Sequence, residues 1–165
     1  VDFSHPESTM EFLEGAKRKK IPLVIGTTGM SDAQKKKIKD ASKIIPIVMS
    51  PNMSLGVNLM FRIVADTSRS LKNGYDIEIL EAHHRMKKDA PSGTALRLAE
   101  SVASALKRDL NKDAVYQRKG NIGERKPSEI GIQVIRAGDI VGDHTVLFGG
   151  PGERLEITHL SLIHI

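Results

Sequence analysis

The chain has 165 residues, 39% hydrophobic and 27% charged, with no cysteine and a formal net charge of +5 from 25 Lys and Arg against 20 Asp and Glu. That length holds one ordinary domain or two small ones, and the composition is globular: no apolar run approaches the ~20 residues that span a bilayer. Without cysteine, disulfides and thiolate chemistry are excluded. The densest basic runs, Lys17-Arg18-Lys19-Lys20 and Lys35-Lys36-Lys37, lie in a chain with only four Phe and two Tyr. With so few stacking residues they read as solvated helix faces, not as a nucleic-acid surface.

Val1-Asp2-Phe3-Ser4 resembles the end of a buried strand. Ser4-His5-Pro6-Glu7 then has the spacing of a capping box, so a helix is expected from about Pro6 to Lys19, with Met10, Leu13 and Ala16 inward. Ile21 to Ile25 is a short continuous apolar run, as in a strand buried on both faces, and it ends in Gly26-Thr27-Thr28-Gly29. Ser31-Asp32-Ala33-Gln34 repeats the capping box for a helix reaching about Ser42. A second buried strand is expected from Ile44 to Met49. This wiring is that of a doubly wound α/β sheet, which binds ligands at the carboxyl ends of its strands.

Ser50-Pro51-Asn52-Met53-Ser54 leads into a long helix, from about Leu55 to Lys72, closed by Asn73-Gly74. A strand follows from Tyr75 to Ala82, and after a polar stretch a helix runs to about Leu110. Residues 111 to 126 read as a long polar loop. The remainder is strand and hairpin: Ile130 to Val134 alternates, Ala137-Gly138-Asp139 turns, His144 to Phe148 follows, and Pro151-Gly152 turns into Arg154 to Thr158. Such alternation points to a mixed or antiparallel sheet with one polar face. The fold class is therefore α/β, a partial Rossmann-type parallel sheet followed by an α+β domain, with units expected at 1–54 and 55–160 and an atypical tail at 161–165.

The chemistry concentrates in Glu81-Ala82-His83-His84-Arg85-Met86-Lys87-Lys88-Asp89-Ala90-Pro91-Ser92-Gly93-Thr94-Ala95, read as strand end, loop and helix start. Imidazoles, ammonium groups and a Ser-Gly-Thr helix start suit an anionic ligand, because the first amides of a helix lack intrahelical acceptors and the positive end of its dipole favours a carboxylate or phosphate. If the strand continues through His83 and His84, they point to opposite faces, which disfavours a metal shared by His83, His84 and Asp89.

This stretch resembles the active-site segment of the dihydrodipicolinate reductase family, whose pattern reads Glu-x-His-His-x-x-Lys-x-Asp-x-Pro-Ser-Gly-Thr-Ala. Every fixed position is present, and the resemblance extends over nearly the whole chain. It implies reduction of 4-hydroxy-tetrahydrodipicolinate, a small dicarboxylate, to tetrahydrodipicolinate in lysine and diaminopimelate biosynthesis, with NADPH or NADH as cofactor. It also implies a cytoplasmic homotetramer built through the substrate-domain sheets, without metal, nucleic acid or membrane. By the same resemblance Lys87 is the proton donor and His83 the general acid/base or its orienting partner. His84, Gly93 and Thr94 bind the substrate carboxylates, and Gly26, Thr27, Thr28, Ser50, Pro51, Asn52 and Met53 line the cofactor.

The chain departs from the family in its tail, Leu160 to Ile165, and in His5, where some members carry Arg. It contains no Gly-x-Gly-x-x-Gly, the fingerprint that would hold the pyrophosphate. The expectation is a fragment lacking the first part of the nucleotide domain and the last helix. A homoserine or aspartate-semialdehyde type of reductase is argued against by the His-His and Ser-Gly-Thr cluster. A non-catalytic carboxylate-binding or interaction domain stays open, since fold does not set function.

Overall fold

The computed structural model describes residues 1–71 and 74–162. The chain forms two compact units, Val1–Met53 and a second that begins at Ser54. Ser54 goes with the second unit because it caps that unit's first helix.

In the first unit, α1 (Pro6–Lys19) begins after His5, which makes no side-chain cap. The expected capping box at Ser4 is therefore corrected: the Ser4 hydroxyl and amide both go to Asp2 Oδ1, at 2.5 and 3.1 Å. Asp2 is the reason. It is 4% exposed, its other oxygen accepts from the Thr9 and Thr27 hydroxyls, and a buried carboxylate takes every nearby donor. Burial acts to raise the Asp2 pKa, but the bonds from Ser4, Thr9 and Thr27 hold it below the usual carboxylate value.

β1 (Leu23–Ile25) pairs in parallel with β2 (Ile47–Met49), and Asp2 bridges β1 in parallel at Ile25. Between the strands, α2 (Asp32–Ala41) starts with the reciprocal Ser31–Gln34 capping box. Leu13, Ile25, Ile38 and Ile45 form the core of this unit, with Met10 only partly buried against it. The expectation of a second strand buried on both faces is corrected. Val48 and Met49 are 58% and 41% exposed, because among the described residues β2 pairs with β1 alone and Val48 points away from the cluster that Ile47 joins.

The second unit contains α3 (Leu55–Ser70), β3 (Asp76–His83), α4 (Gly93–Leu106), α5 (Leu110–Asp113), β4 (Ala114–Val115), β5 (Ile130–Arg136), β6 (Gly142–Gly150) and β7 (Glu153–Ser161). Lys72 and Asn73, where the end of α3 was expected, lie outside the described residues. So do residues 163–165 of the expected tail, whereas Ser161 is the last residue of β7 and pairs with Gly142. The expected long loop after α4 is not featureless, since it holds α5 and β4.

The strand order is β4-β5-β3-β6-β7. β5 runs parallel to β3, whereas β6 is antiparallel to it. The turn at Ala137-Gly138-Asp139 therefore joins no hairpin: it carries the chain past the end of β3, which sits between the two strands. Among the described residues, β6 and β7 form the expected hairpin.

One face of this sheet packs on α3 and α4. Ile77, Ile79, Ile130, Ile132, Val146 and Phe148 meet Val64, Leu98 and Val102 there, all fully or nearly fully buried. On the other face Glu78 takes Arg118 at 2.9 Å and Arg125 at 3.2 Å, strapping the segment between β4 and β5 across the sheet. Gly131, opposite Glu78, leaves the room, since a Cβ there would meet the Glu78 carboxylate at 1.8 Å.

Because Phe148 fills the centre of the buried layer, Phe148→Ala is expected to destabilise the second unit by about 3–5 kcal/mol, read as a lower urea midpoint with an unchanged slope.

Candidate active site

Along the packed face of β3 the side chains at 77 and 79 are Ile, and those at 81 and 83 are Glu and His. The face thus changes from apolar to ionic within one strand. In the sheet register Glu81 lies opposite His144, His144 opposite His159, and His83 opposite Arg136, so these five side chains share that face.

Glu81 is 1% exposed. Arg136 grips it with both terminal nitrogens, at 2.8 and 3.0 Å, and also reaches the Asp89 carbonyl at 2.7 Å. The amide of Ser92 donates to Glu81 Oε1 at 2.9 Å, and His83 Nδ1 lies 2.5 Å from Oε2. Burial acts to raise the Glu81 pKa, but the bonds from His83, Arg136 and the Ser92 amide outweigh it and bring the carboxyl from 4.5 to about 2. The site is thus built on a buried anion that is charged at neutral pH.

Ser92 is the N-cap of α4, accepting from the Ala95 amide at 3.2 Å, and its hydroxyl also lies 3.1 Å from His144 Nε2. His144 is 2% exposed, and its ring stands edge-on to that of His83 with centroids 5.1 Å apart. Burial first, and then repulsion from His83, pushes its pKa from 6.5 down to about 4. It remains neutral where a free histidine titrates.

The loop after β3 turns at once. His84 therefore lies beyond the strand, and its carbonyl accepts from the Lys87 amide at 3.1 Å. The premise that the strand continues through both histidines is corrected: it stops at His83, which is 8% exposed, and His84 is half-buried. The Lys87 ammonium sits 2.9 Å from Asp89 Oδ1. Burial acts to raise the Asp89 pKa, but Lys87 holds it below the usual carboxylate value. The Ala90–Pro91 peptide is cis, and Gly93 and Thr94 open α4, with Thr94 buried. His83, His84, Lys87, Gly93 and Thr94 thus stand in one loop and its flanking ends. Sequence reasoning left Glu81, Arg136 and His144 without a role, although Glu81 in mid-alternation on a buried face was a readable signal.

In the first unit, Gly26–Gly29 and Ser50–Met53 follow the adjacent parallel strands β1 and β2 at their carboxyl ends, where open α/β sheets bind ligands. The Thr27 hydroxyl is committed, donating to Asp2 and accepting from the Ser4 amide at 3.0 Å. The Ser50 hydroxyl donates to the Asn52 carbonyl at 2.6 Å. Gly26 is needed for Phe3, whose ring would lie 2.0 Å from a Cβ there. What these loops can offer a dinucleotide is chiefly backbone, together with the exposed Thr28 and Pro51 and the partly buried Asn52 and Met53. A nicotinamide carboxamide or ribose fits that donor and acceptor set. Among the described residues no group of three His, Cys, Asp or Glu is placed to hold a metal ion, and no helix is long and apolar enough to cross a membrane.

Comparison with known proteins matches the N-terminal model of dihydrodipicolinate reductase to residues 1–53 and the C-terminal model to residues 56–163. The chain belongs to the dihydrodipicolinate reductase family. Among curated relatives, the 4-hydroxy-tetrahydrodipicolinate reductase of Laribacter hongkongensis is 58% identical over 96% of this chain and 60% of its own length. That of Hahella chejuensis is 55% identical over the same shares. A solved structure, the dipicolinate-bound dihydrodipicolinate reductase from Paenisporosarcina sp. TG-14, has a TM-score of 0.70 and 26% identity, covering 99% of this chain and 62% of that one. The chain therefore spans about 60% of the length of the curated reductases it matches.

The titrations of Glu81 and His144 act in the same direction on stability. A carboxyl depressed from 4.5 to about 2 stabilises the fold above 4.5 and loses that contribution as pH falls toward 2. An imidazole depressed from 6.5 to about 4 makes the unfolded chain the better proton acceptor between those values, so stability falls across that window too. The second unit is expected to lose on the order of 3 kcal/mol from each group, read as urea midpoint against pH. His144→Gln should flatten the limb between pH 6.5 and 4 and leave the lower limb in place.

Proposed function

We propose that the protein is an NADPH- or NADH-dependent oxidoreductase that reduces 4-hydroxy-tetrahydrodipicolinate to tetrahydrodipicolinate in lysine and diaminopimelate biosynthesis. The observation that carries this reading is the gathering of His83, the Lys87–Asp89 loop and the start of α4 around one buried ion pair, Glu81–Arg136, in a chain of this family.

The first unit is the part of a dinucleotide-binding domain that carries the loops at Gly26, Thr27 and Thr28 and at Ser50, Pro51, Asn52 and Met53. A nicotinamide held there would supply the hydride. On the substrate side, Gly93 and Thr94 at the start of α4 receive one carboxylate of the dianion, where helix amides and dipole favour it, and His84 helps to hold the substrate. The conversion takes one hydride and one proton and releases the 4-hydroxyl group as water. Loss of water leaves an unsaturated ring, and hydride addition to that ring leaves negative charge on it. The Lys87 ammonium, kept in place by Asp89 at 2.9 Å, both stabilises that charge and delivers a proton to it. His83 serves as general acid/base or orients the donor.

The same reading makes the protein a cytoplasmic homotetramer assembled through the outer sheet face. Ile135 and Leu160, in one cross-strand row of that face, are 49% and 58% exposed.

Calorimetric titration with pyridine-2,6-dicarboxylate, with and without NADPH, tests the reading. Binding is expected to tighten with nucleotide and to weaken about tenfold or more in Lys87→Met and in Thr94→Val, that is by at least about 1.4 kcal/mol. A folded chain that binds no dicarboxylate would count against the reading. Binding indifferent to nucleotide would favour a carboxylate-binding domain instead.

A further inference from the structure

We infer that Glu81 is a positioning residue that fixes the tautomer of His83, placing the ring proton on Nδ1 and leaving Nε2 as the working atom. The inference deepens the reductase reading and rests on it for the catalytic consequence, although not for the tautomer itself.

Each Glu81 oxygen already meets Arg136, and Oε1 also accepts from the Ser92 amide. A carboxylate in that state is an acceptor only. The ring nitrogen 2.5 Å from Oε2, His83 Nδ1, must therefore be a donor. In the neutral imidazole this leaves the lone pair on Nε2.

Nε2 faces Gly142 across the β3–β6 boundary, where a Cβ would come within 3.1 Å of it. A residue without a side chain thus keeps that atom approachable. The groups facing His83 from neighbouring strands are Arg136 on β5 and His144 on β6. Arg136 is tied to Glu81. The His144 Nε2 is engaged with Ser92, and desolvation keeps its ring neutral, so neither competes with Glu81 for the Nδ1 proton.

Arg136 extends the arrangement to the proton donor. It holds the carbonyl of Asp89, whose carboxylate holds Lys87. One guanidinium therefore sets both the strand-end histidine and the loop that carries the ammonium.

The substitution that separates orientation from bulk is Glu81→Gln. Either way round, the amide places an NH2 against a donor. Toward Oε1 it opposes the Ser92 amide and Arg136, and toward Oε2 it opposes Arg136 and His83. The second arrangement is relieved when Nδ1 becomes the acceptor, which moves the ring proton to Nε2.

The test is long-range 15N NMR of the histidine rings in the full chain, recorded above their titration. The native chain is expected to show a pyrrole-type Nδ1 and a pyridine-type Nε2 for His83, and Glu81→Gln to reverse that order. Gly142→Ala should leave the native order while weakening pyridine-2,6-dicarboxylate binding about tenfold, because it crowds Nε2 without touching Glu81. In the active enzyme, Glu81→Gln should lower kcat on the order of 10²-fold with KM little changed. A pyrrole-type Nε2 in the native chain would overturn the inference, and so would an unchanged order in a folded Glu81→Gln. Because Glu81→Gln also removes a buried charge, the native spectrum stands as an independent check should that variant not fold. If the native order is as expected but no dicarboxylate binds, the positioning role stands and the reductase reading falls.

Discussion

A carboxylate with no solvent exposure is costly unless every lone pair is answered, and Glu81 is answered by three different parts of the chain: a guanidinium from β5, the amide of the residue that caps α4 and an imidazole from its own strand. Its partners are thereby placed with respect to one another, because none can move far without leaving the anion short of a donor. The site is held by desolvation as much as by attraction. Removing one member of a buried pair costs several kcal/mol, whereas the intact pair adds little net stability. What the arrangement supplies is orientation at the end of a strand that would otherwise fray into its loop.

The first unit uses the same device on a smaller scale. Asp2 gathers Ser4, Thr9 and Thr27, and so ties the start of the chain, the first helix and the loop after β1 to one buried carboxylate. Thr27, which the family resemblance assigns to the cofactor as a residue, uses its hydroxyl to hold the loop's shape. Backbone is what that loop presents, and backbone is a suitable recognition element for a carboxamide because it offers both a donor and an acceptor.

Local chemistry was legible in the sequence and long-range pairing was not. The Ser31–Gln34 capping box spans four residues, and both of its bonds are present as read. The loop bearing His83, Lys87 and Ser92 was visible because its members are neighbours in the chain. Glu81 and Arg136 are 55 residues apart and Ser92 and His144 are 52 apart, and nothing in alternation alone says which strands become adjacent. For the same reason the alternating runs and short turns left the strand order open: β3 lies between β5 and β6, although a short turn joins them in the chain. At Ser4 the local pattern failed because a buried carboxylate outcompeted a helix terminus that water can satisfy.

The change from isoleucine to ionic side chains along β3 also bears on how the strand finds its place. Hydrophobic alternation rejects a slip by one residue, which would turn the inner face outward, but it is silent to a slip by two. In a two-residue slip either Glu81 would fall where Ile79 packs, or Ile79 would face Arg136 and leave its partly buried guanidinium without its counter-charge. Both errors part the two charges, and the first also buries a carboxylate among apolar side chains, at a cost of several kcal/mol. The ion pair at the site thus doubles as a ruler for the sheet, marking the one alignment of β3 against β5 in which the charges meet.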